Sequence, residues 1–365
     1  MDDSLSLHGG QVWLDGELVS ADVSLAEGRV QAIGPALPEA ATALDVSGQL
    51  VLPGLVDLHT HCFRMGFWGL NPEAYAAASG VTTWVDAGTA GAYTLDICAR
   101  DSASAPVRIV PLLNISGIGL AGRTYESRFL DHVSVDDAVT AIRASDGWVR
   151  GIKARIDVNT VGEHGLEPLR RAIEVAEQTS LPVMTHMATS PPTVPEILSM
   201  LRPGDIATHV AGHTPTGMLV DGQVADVAVE AHQRGVIFDM GHGMGGFTFE
   251  IGEELWRQDR AIDVLSTDLH LHSLATAVSL PQVMSKGLVL GMTLPEVLER
   301  VTSRPADALK LGDGIGRLQV GGAADVTVLS MVDEPLTVAD VRGDTRTAPA
   351  RFDVAHTIMA GALLR

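Results

Sequence analysis

The chain has 365 residues, of which 45 are acidic and 25 basic, for a formal net charge of −20. An acidic chain binds phosphate backbones poorly, so we expect no nucleic-acid partner. No run approaches the roughly 18 consecutive apolar residues of a membrane span, so we expect no membrane partner either. Hydrophobic residues make up 46% of the chain, which is enough for a sizeable core and excludes disorder as the overall state.

The cysteine content and the first residues indicate where the chain works. Cys62 and Cys98 are the two cysteines, too few for a disulfide framework. The chain begins Met1-Asp2-Asp3, which is acidic where a secretory signal would be basic. Both observations predict a cytoplasmic protein.

The two ends of the chain, residues 1–52 and 312–365, have the pattern of short strands broken by turns. Asp15-Gly16 and Glu27-Gly28 separate apolar stretches near the N-terminus, and Arg342-Gly343-Asp344 does so near the C-terminus. Neither end has enough strands to bury a face alone. We therefore expect the two ends to fold together as one small β-sandwich domain.

The middle of the chain, residues 53–311, alternates short β-rich runs with helical patterns. Helical patterns lie between most of the runs, as in 134–144, 167–178 and 223–233. The runs are Leu55–His61, Val81–Ala87, Val107–Ile115, Val149–Arg155, Pro182–His186, Asp205–His209, Val236–Met240 and Ile262–Asp268. Eight such units match a TIM (β/α)8 barrel of about 250 residues, although an open doubly wound sheet also fits the count.

Two histidines end the first run. His59 and His61 are two positions apart on a strand, so their side chains share a face and can bind one ion. The chain contains 13 histidines, so a His-X-His pair also arises by chance, and His270 and His272 form a second one. The pair becomes informative only in combination with other runs.

A lysine ends the fourth run. The chain has only three lysines, Lys153, Lys286 and Lys310, and otherwise uses arginine. A charged lysine in a buried parallel strand costs several kcal/mol if unpaired. Lys153 is therefore either an ion-paired or snorkelling lysine, or one that burial neutralises and that carbon dioxide can carboxylate into a metal-bridging anion.

Three further runs also end in residues that can bind metal. His186 ends the fifth run, His209 the sixth and Asp268 the eighth. The C-terminal rim of a TIM barrel holds the active site. His-X-His, Lys, His, His and Asp on that rim form a complete set of ligands for two divalent ions, with zinc as the expected metal.

The motifs at these positions resemble those of the amidohydrolase superfamily. The segment 52–61, LPGLVDLHTH, is similar to its opening metal motif, and Gly151-Ile152-Lys153, Thr185-His186, Thr208-His209 and 266–270 follow in the order that the superfamily requires. Segments 80–88, 113–116 and 238–245 are similar to its dihydroorotase-like deacetylase branch. The resemblance covers essentially the whole chain.

The resemblance implies a role for each ligand. His59, His61 and Asp268 would bind the more buried metal, and His186 and His209 the more exposed one. Lys153, N6-carboxylated, would bridge the two. Asp268 would act as general base and then as general acid during attack by a bridging hydroxide.

Four other residues are candidates for substrate contact. Arg155 shares a face with Lys153 and can hold a substrate carboxylate or pair with a neighbouring acid. His270 follows the eighth run, His242 lies in the glycine-rich loop after the seventh, and Asn114 ends the third. Residues His213 and Met218 depart from the deacetylase-like pattern, which leaves the substrate open.

The predicted function is hydrolysis of an amide or ester bond in a small acylated substrate, either an N-acyl amino acid or an acylated 2-hydroxy acid. The alternatives are a cyclic amidase of the dihydroorotase, hydantoinase or allantoinase kind and a non-catalytic scaffold that kept the fold. A mononuclear deaminase lacks the bridging lysine. We expect a small-molecule partner, with a carboxylate as one option, and a homo-oligomer.

Overall fold

The computed structural model describes residues 4–214, 217–276 and 279–364. Residues 1–3, whose acidic character was one argument for a cytoplasmic protein, fall outside these ranges. Among the described residues, no helix combines the length and apolar character needed to cross a membrane.

The N-terminal segment forms five strands joined by tight turns. Asp15-Gly16 and Glu27-Gly28 have positive φ at both positions, the geometry of the type I′ turns that match the twist of antiparallel hairpins. The turn residues therefore fix these two hairpins locally. The strands are β1 (Leu5–Leu14), β2 (Glu17–Ala26), β3 (Arg29–Gly34), β4 (Thr42–Asp45) and β5 (Leu50–Pro53).

The middle segment contributes seven strands of one parallel sheet within the described residues. Their order in the sheet follows the chain, from β6 to β14, while β12 and β13 form a separate hairpin. The strands are β6 (Leu55–Thr60), β7 (Val81–Gly91), β8 (Arg108–Asn114), β9 (Gly151–Ile156), β10 (Val183–Met187), β11 (Ile206–Thr208), β12 (Leu219–Val220), β13 (Gln223–Val224) and β14 (Ile237–Asp239).

The eighth run closes this sheet without becoming a regular strand. It makes parallel bridges to both edges, between Val264 and Asp239 of β14 and between Leu269 and Thr60 of β6. Part of its backbone bonds to side chains instead of to a neighbouring strand: the Thr267 N–H donates to Asp57 Oδ1. A sheet whose two edges meet one segment is a closed barrel, which decides against the open sheet.

Eleven α-helices lie within the described residues, most of them between the barrel strands. Ser134 caps α3, with its side chain accepting from the Asp137 N–H. The helices are α1 (Ala76–Ser79), α2 (Leu95–Ser102), α3 (Val135–Ala144), α4 (Val158–Val161), α5 (Glu167–Thr179), α6 (Val194–Met200), α7 (Asp226–Gln233), α8 (Phe249–Asp259), α9 (Leu280–Val289), α10 (Leu294–Arg300) and α11 (Ser303–Ala308).

The C-terminal segment returns to the N-terminal strands, which confirms the predicted association of the two ends. β15, β18 and β19 extend one sheet in the order β19-β18-β15-β5-β1-β2-β3, with β4 beside β1. The remaining pair, β16 and β17, forms a hairpin. The strands are β15 (Val326–Val332), β16 (Leu336–Ala339), β17 (Thr345–Ala348), β18 (Arg351–Met359) and β19 (Ala362–Leu363).

The terminal sheet has two buried faces. Val51 packs in a core built from terminal residues, whereas its neighbours Leu50 and Leu52 pack in the larger core of the barrel. Successive side chains of a strand point to opposite faces, so one strand can serve both cores. The terminal sheet is thereby fixed to the barrel that carries the candidate site.

Candidate metal centre and active-site cleft

The two histidines that end the first barrel strand meet the aspartate that ends the eighth run. His59 Nε2 and His61 Nε2 lie 3.4 and 3.3 Å from Asp268 Oδ1. One ligand atom from each of these residues falls within 4.8 Å of the other two. The alternation of side chains along β6 therefore brings both imidazoles to one point, as the spacing predicted.

Lys153 lies against this group, almost fully buried. Its Nζ is 3.2 Å from His59 Nε2 and 3.3 Å from Met184 Sδ. Within the described residues no carboxylate lies within 4.0 Å of this Nζ, so the lysine is neither ion-paired nor at the surface. Burial lowers the pKa of Lys153 to about 7, which makes a neutral amine accessible near neutral pH.

A glycine makes room for this lysine. Gly88, in β7, has a φ of +84°, and a Cβ there would lie 2.4 Å from Lys153 Cβ. A side chain at position 88 would therefore displace the stem of Lys153 and strain the backbone. The barrel packs its one site lysine against a position that only glycine fills without strain.

His186 and His209 lie beside the cluster of His59, His61 and Asp268. Their ring centroids are 4.5 Å apart, and the His209 ring lies 5.0 Å from that of His59. His209 Nδ1 donates to the Gly241 carbonyl at 2.6 Å, which leaves Nε2 as a lone-pair atom. That Nε2 is buried and has no hydrogen-bond partner. Burial lowers the pKa of His209 to about 4, so the ring is neutral.

A relay of hydrogen bonds orients His59. The Thr208 hydroxyl donates to Asp239 Oδ2 at 2.7 Å and therefore accepts from His59 Nδ1 at 2.9 Å. His59 then carries its proton on Nδ1 and presents the Nε2 lone pair to the cleft. Such outer partners fix the tautomer of metal-binding histidines. Burial raises the pKa of Asp239 to about 6.

Asp268 is held in an unusual backbone conformation. Its φ is +46°, and the adjacent Gly243, at +44°, would place a Cβ 2.1 Å from Asp268 Oδ2. Burial opposes ionisation of this carboxyl, but His59 and His61 outweigh it and hold its pKa well below the usual value. An ionised carboxylate at this position can bind a cation or accept a proton from water.

These six side chains line one cleft with a volume of about 190 Å³. Arg155 and His270 line it too, as does an apolar wall that contains Trp68, Leu120 and Met187. A small cleft with apolar walls and a few convergent polar groups is typical of a small-molecule site. The structure therefore brings all six predicted ligands and two of the four predicted substrate contacts to one place.

Arg155 and His270 offer hydrogen-bond donors to this cleft. His270 Nδ1 accepts from the N–H groups of His272 and Ser273, so its other ring nitrogen carries the proton. Arg155 Nε lies 3.4 Å from Oε1 of the buried Glu126, a contact too poorly aligned for a hydrogen bond. Arg155 therefore has an acidic neighbour and also lines the cleft. The two predicted alternatives, a pair with a neighbouring acid and a contact to a substrate carboxylate, are both compatible with this position.

Two predicted substrate contacts are placed elsewhere. Asn114 donates to the Gly88 carbonyl and accepts from the Ser116 N–H, so its amide holds the loop beside Lys153. His242 turns away from the cleft, and Lys286 Nζ lies 2.5 Å from its Nε2. Neither residue lines the cleft. Partners inside the protein occupy the polar atoms of the two side chains, so the structure does not bring Asn114 and His242 together with the other predicted site residues.

Several residues of the site escaped the sequence analysis. Asp239 and Thr208 adjoin residues that end barrel runs, and a buried acid at the end of the seventh run was a signal that could have been used. Trp68 and Leu120 come from loops after β6 and β8, where neither spacing nor charge marks them. Glu126 lies in the same long loop as Leu120.

The donor set fits two divalent cations. The neutral imidazoles of His59 and His209 both present an Nε2 lone pair: that of His59 faces Lys153 Nζ at 3.2 Å, and that of His209 is buried without any hydrogen-bond partner. Asp268 is an anionic oxygen ligand, and the buried Lys153 amine lies at the centre of the group. Imidazole and carboxylate ligands suit zinc and similar divalent ions. An orphaned buried nitrogen would otherwise cost about 1–3 kcal/mol.

Comparison with known proteins finds relatives named deacetylases that match nearly the whole chain. No protein-family model matches it. A deacetylase of Enterococcus faecalis is 30% identical over 371 residues, covering 100% of this chain and 99% of the relative. A deacetylase of Agrobacterium fabrum is 32% identical over 342 residues, covering 91% of this chain and 84% of the relative.

Solved structures share the whole fold. The crystal structure of an adenine deaminase has a TM-score of 0.93 and 29% identity, covering 98% of each chain. That of a dihydroorotase has a TM-score of 0.90 and 28% identity, covering 99% of this chain and 98% of the other. An L-hydantoinase from Arthrobacter aurescens, at 17% identity and a TM-score of 0.71, shares the fold alone.

Proposed function

Because the chain belongs to the amidohydrolase superfamily, in its dihydroorotase-like deacetylase branch, we propose that it removes the acyl group from an N-acyl amino acid or an acylated 2-hydroxy acid. A deacetylase-like hydrolase of this superfamily is what the full-length relatives indicate. The observation that carries the proposal is the convergence of six ligand-type side chains on one cleft that also exposes Arg155.

The proposed centre holds two divalent ions, with zinc as the expected metal. His59, His61 and Asp268 would hold one ion and His186 and His209 the other. When bound, the ions supply an activated water at neutral pH and a Lewis acid for the acyl carbonyl. The ligand types support zinc, and metal analysis of the purified protein tests its identity.

Lys153 is proposed to bridge the ions as a carbamate. Its neutral amine adds to carbon dioxide, forming one N–C bond and releasing one proton, and the product is an anionic carboxylate on Nζ. The burial of Lys153 and its lowered pKa of about 7 support the reaction, because only the neutral amine is nucleophilic. Among the described residues no carboxylate lies within 4.0 Å of Nζ, so the neighbours of the amine are His59 Nε2 and Met184 Sδ and no ion pair holds it in the charged form.

Asp268 is proposed to move the proton of the reaction. It accepts the proton of the attacking water and then delivers it to the leaving amine or alkoxide, so one carboxylate serves as base and then as acid. The low pKa of Asp268 supports the first step, since the carboxyl is ionised before attack. Arg155 and the Nε2–H of His270 would hold the substrate, with a carboxylate as the fitting anion.

The assay that tests the proposal is a substrate panel. N-acetyl D- and L-amino acids and acylated 2-hydroxy acids are offered to zinc-loaded protein, beside dihydroorotate, hydantoins, allantoin and adenine, and released acetate, opened rings and ammonia are measured. We expect acetate release that a chelator abolishes. Turnover of the rings alone would replace the deacetylase proposal with the cyclic amidase, which the dihydroorotase structure at 28% identity favours as the second candidate.

Two further proposals concern the location and the assembly of the protein. We expect the protein to work in the cytoplasm and to form a homo-oligomer. Sedimentation of the purified chain measures the second directly, and a monomer at all concentrations would contradict it.

A further inference from the structure

A second buried lysine lies outside the cleft, and the proposed mechanism does not use it. Lys286 is on α9 and is 2% exposed. Its Nζ lies 2.6 Å from the carbonyl of Ala339 and 2.5 Å from His242 Nε2. A cation buried this deeply costs several kcal/mol unless its protons are accepted, so a specific partner set retains it.

The partners of Lys286 are dipoles and a ring rather than an acid. Within the described residues no carboxylate lies within 4.0 Å of Nζ, while the Phe247 ring centroid lies 5.5 Å away. Burial lowers the pKa of Lys286 to about 8. Asp340 lies beyond 4.0 Å and acts on Lys286 only through its charge, which opposes the fall in pKa, so the direct contacts of Nζ are an imidazole, a carbonyl and an aromatic face.

The lysine fixes the ring of His242 in one state. Because Nε2 accepts from Lys286, the proton of His242 is on Nδ1, which donates to the Gly243 carbonyl at 3.0 Å. The ring also stacks on Phe247, with centroids 5.2 Å apart. Both ring nitrogens and one face of His242 are therefore occupied, and the side chain is locked.

The residues on either side of His242 contact two groups of the metal centre. The Gly241 carbonyl accepts from His209 Nδ1 at 2.6 Å, which directs His209 Nε2 into the cleft. Gly243 packs against Asp268 Oδ2, at a distance that leaves no room for a Cβ. The glycine-rich loop, residues 241–246, thus sets the direction of one imidazole and the position of one carboxylate.

We infer that Lys286 is a positioning residue, which acts through His242 and the glycine-rich loop to orient His209 and Asp268. The inference rests on the proposed function in taking those two residues as working groups. It also assigns a role to the C-terminal part of the chain, because the carbonyl that receives Lys286 belongs to β16.

The hairpin of β16 and β17 is anchored at the same place. The Val341 N–H donates to the Phe247 carbonyl at 3.3 Å, and Asp340 Oδ2 accepts from the Phe249 N–H at the start of α8. The hairpin, α9 and the glycine-rich loop therefore meet around Lys286. A residue of the C-terminal segment is in this way connected to the barrel mouth.

The test uses zinc-loaded full-length protein that contains isotope-labelled histidine, and it follows the His209 Nδ1 proton by NMR. Lys286→Met removes the donor, His242→Phe keeps the stacking ring but removes its nitrogens, and Lys310→Met is the matched control at an exposed lysine. We expect solvent exchange of the His209 Nδ1 proton to become at least about tenfold faster in the first two variants and to stay unchanged in the control.

Kinetics on the acyl substrate supply the second readout. We expect each single variant to lower kcat by about tenfold. The double variant should lose no more than either single variant, because both substitutions interrupt the same chain of contacts from Lys286 through His242 to the glycine-rich loop. Unchanged exchange of the His209 proton in Lys286→Met, or losses that multiply in the double variant, would overturn the inference. If Lys286→Met does not fold, the exchange rate in His242→Phe decides. A wild-type protein without acyl hydrolysis would refute the proposed function, while the exchange rates still decide the role of Lys286.

Discussion

The absence of a side chain at Gly243 determines where Asp268 lies. A Cβ there would meet Asp268 Oδ2 at 2.1 Å, and the positive φ strains any substitution. We predict that Gly243→Ala displaces the carboxylate and lowers kcat/KM by about 100-fold, the cost of a displacement of about 1 Å in a catalytic group. Steady-state kinetics and metal analysis measure it.

Gly245 provides the matched control in the same loop. Open space surrounds the position of its Cβ, and its φ is not in the left-handed region. Gly245→Ala should therefore bind as much metal as the wild type. If Gly243→Ala has the same metal content and the same kcat/KM as the wild type, the loop does not position Asp268.

Single residues were predictable where the chemistry lies at the end of a run. The six ligand-type residues were found because each ends a β-rich run and the barrel places those ends together. The sequence could not show that His242 and Asn114 lie outside the cleft lining, because the directions of their side chains depend on partners remote in sequence or on local turns. Lys286, 44 residues after His242, turns the histidine away from the cleft, and no pattern in one dimension shows this contact.

At the level of elements, His232 ties helices α7 and α8 to the eighth run. Its two ring nitrogens lie 3.2 Å from Asp259 and 3.2 Å from Asp263. The hydrogen bond to Asp263 raises the pKa of His232, so its stabilisation is fully present below the unfolded pKa and lost as the pH rises through the folded pKa.

We predict that His232→Asn lowers the free energy of unfolding by about 1 kcal/mol at about pH 6 and by clearly less at about pH 9. Urea denaturation at the two pH values measures the difference. His213→Asn, at an exposed histidine, is the control and should change stability little at either pH. A deficit in His232→Asn that grows with pH would show that the charged ring is not what stabilises this junction.

The eighth run shows why elements were only partly predictable. Its apolar pattern predicted a strand, and its position was right. Asp57 and Asp239 instead receive hydrogen bonds from Thr267 and Ser266, and Asp268 takes a positive φ, so the segment closes the barrel with isolated bridges. Propensity does not reveal that side chains will replace ladder partners.

For the whole molecule, Thr327 joins the terminal sheet to the barrel. Its buried hydroxyl donates to the Gly80 carbonyl and accepts from the Leu55 N–H. We predict that Thr327→Val, which keeps the shape, lowers the free energy of unfolding by about 1 kcal/mol, because the Leu55 N–H and the Gly80 carbonyl each lose one hydrogen bond and keep only the 3.3 Å bond to each other. Equilibrium denaturation measures it.

The exposed Thr347 of β17 is the control for this substitution. Thr347→Val should change stability by less than about 0.5 kcal/mol. A Thr327→Val protein as stable as the wild type would mean that this contact contributes nothing to the joint between the sheet and the barrel.

The architecture as a whole was predictable because it follows from counting and periodicity. Eight runs separated by helices require a closed or open sheet, and two strand-poor ends can bury a face only together. The sequence does not show the individual contacts by which the terminal segments pack against the barrel. β5 serves two cores at once through Val51 and its neighbours. The turn of the β16–β17 hairpin bonds Phe247, the residue after the glycine-rich loop, and both are contacts between distant parts of the chain.

The most direct test is the metal content of the protein purified in the presence of zinc and bicarbonate, with Lys153→Ala beside it. A centre built from these six side chains should hold about two equivalents of divalent metal per chain, and Lys153→Ala should lose the second and with it turnover. Short carboxylic acids should restore part of both by replacing the carbamate. Fewer than about one equivalent in the wild type, or full metal and wild-type activity in Lys153→Ala, would contradict a bridged two-metal centre.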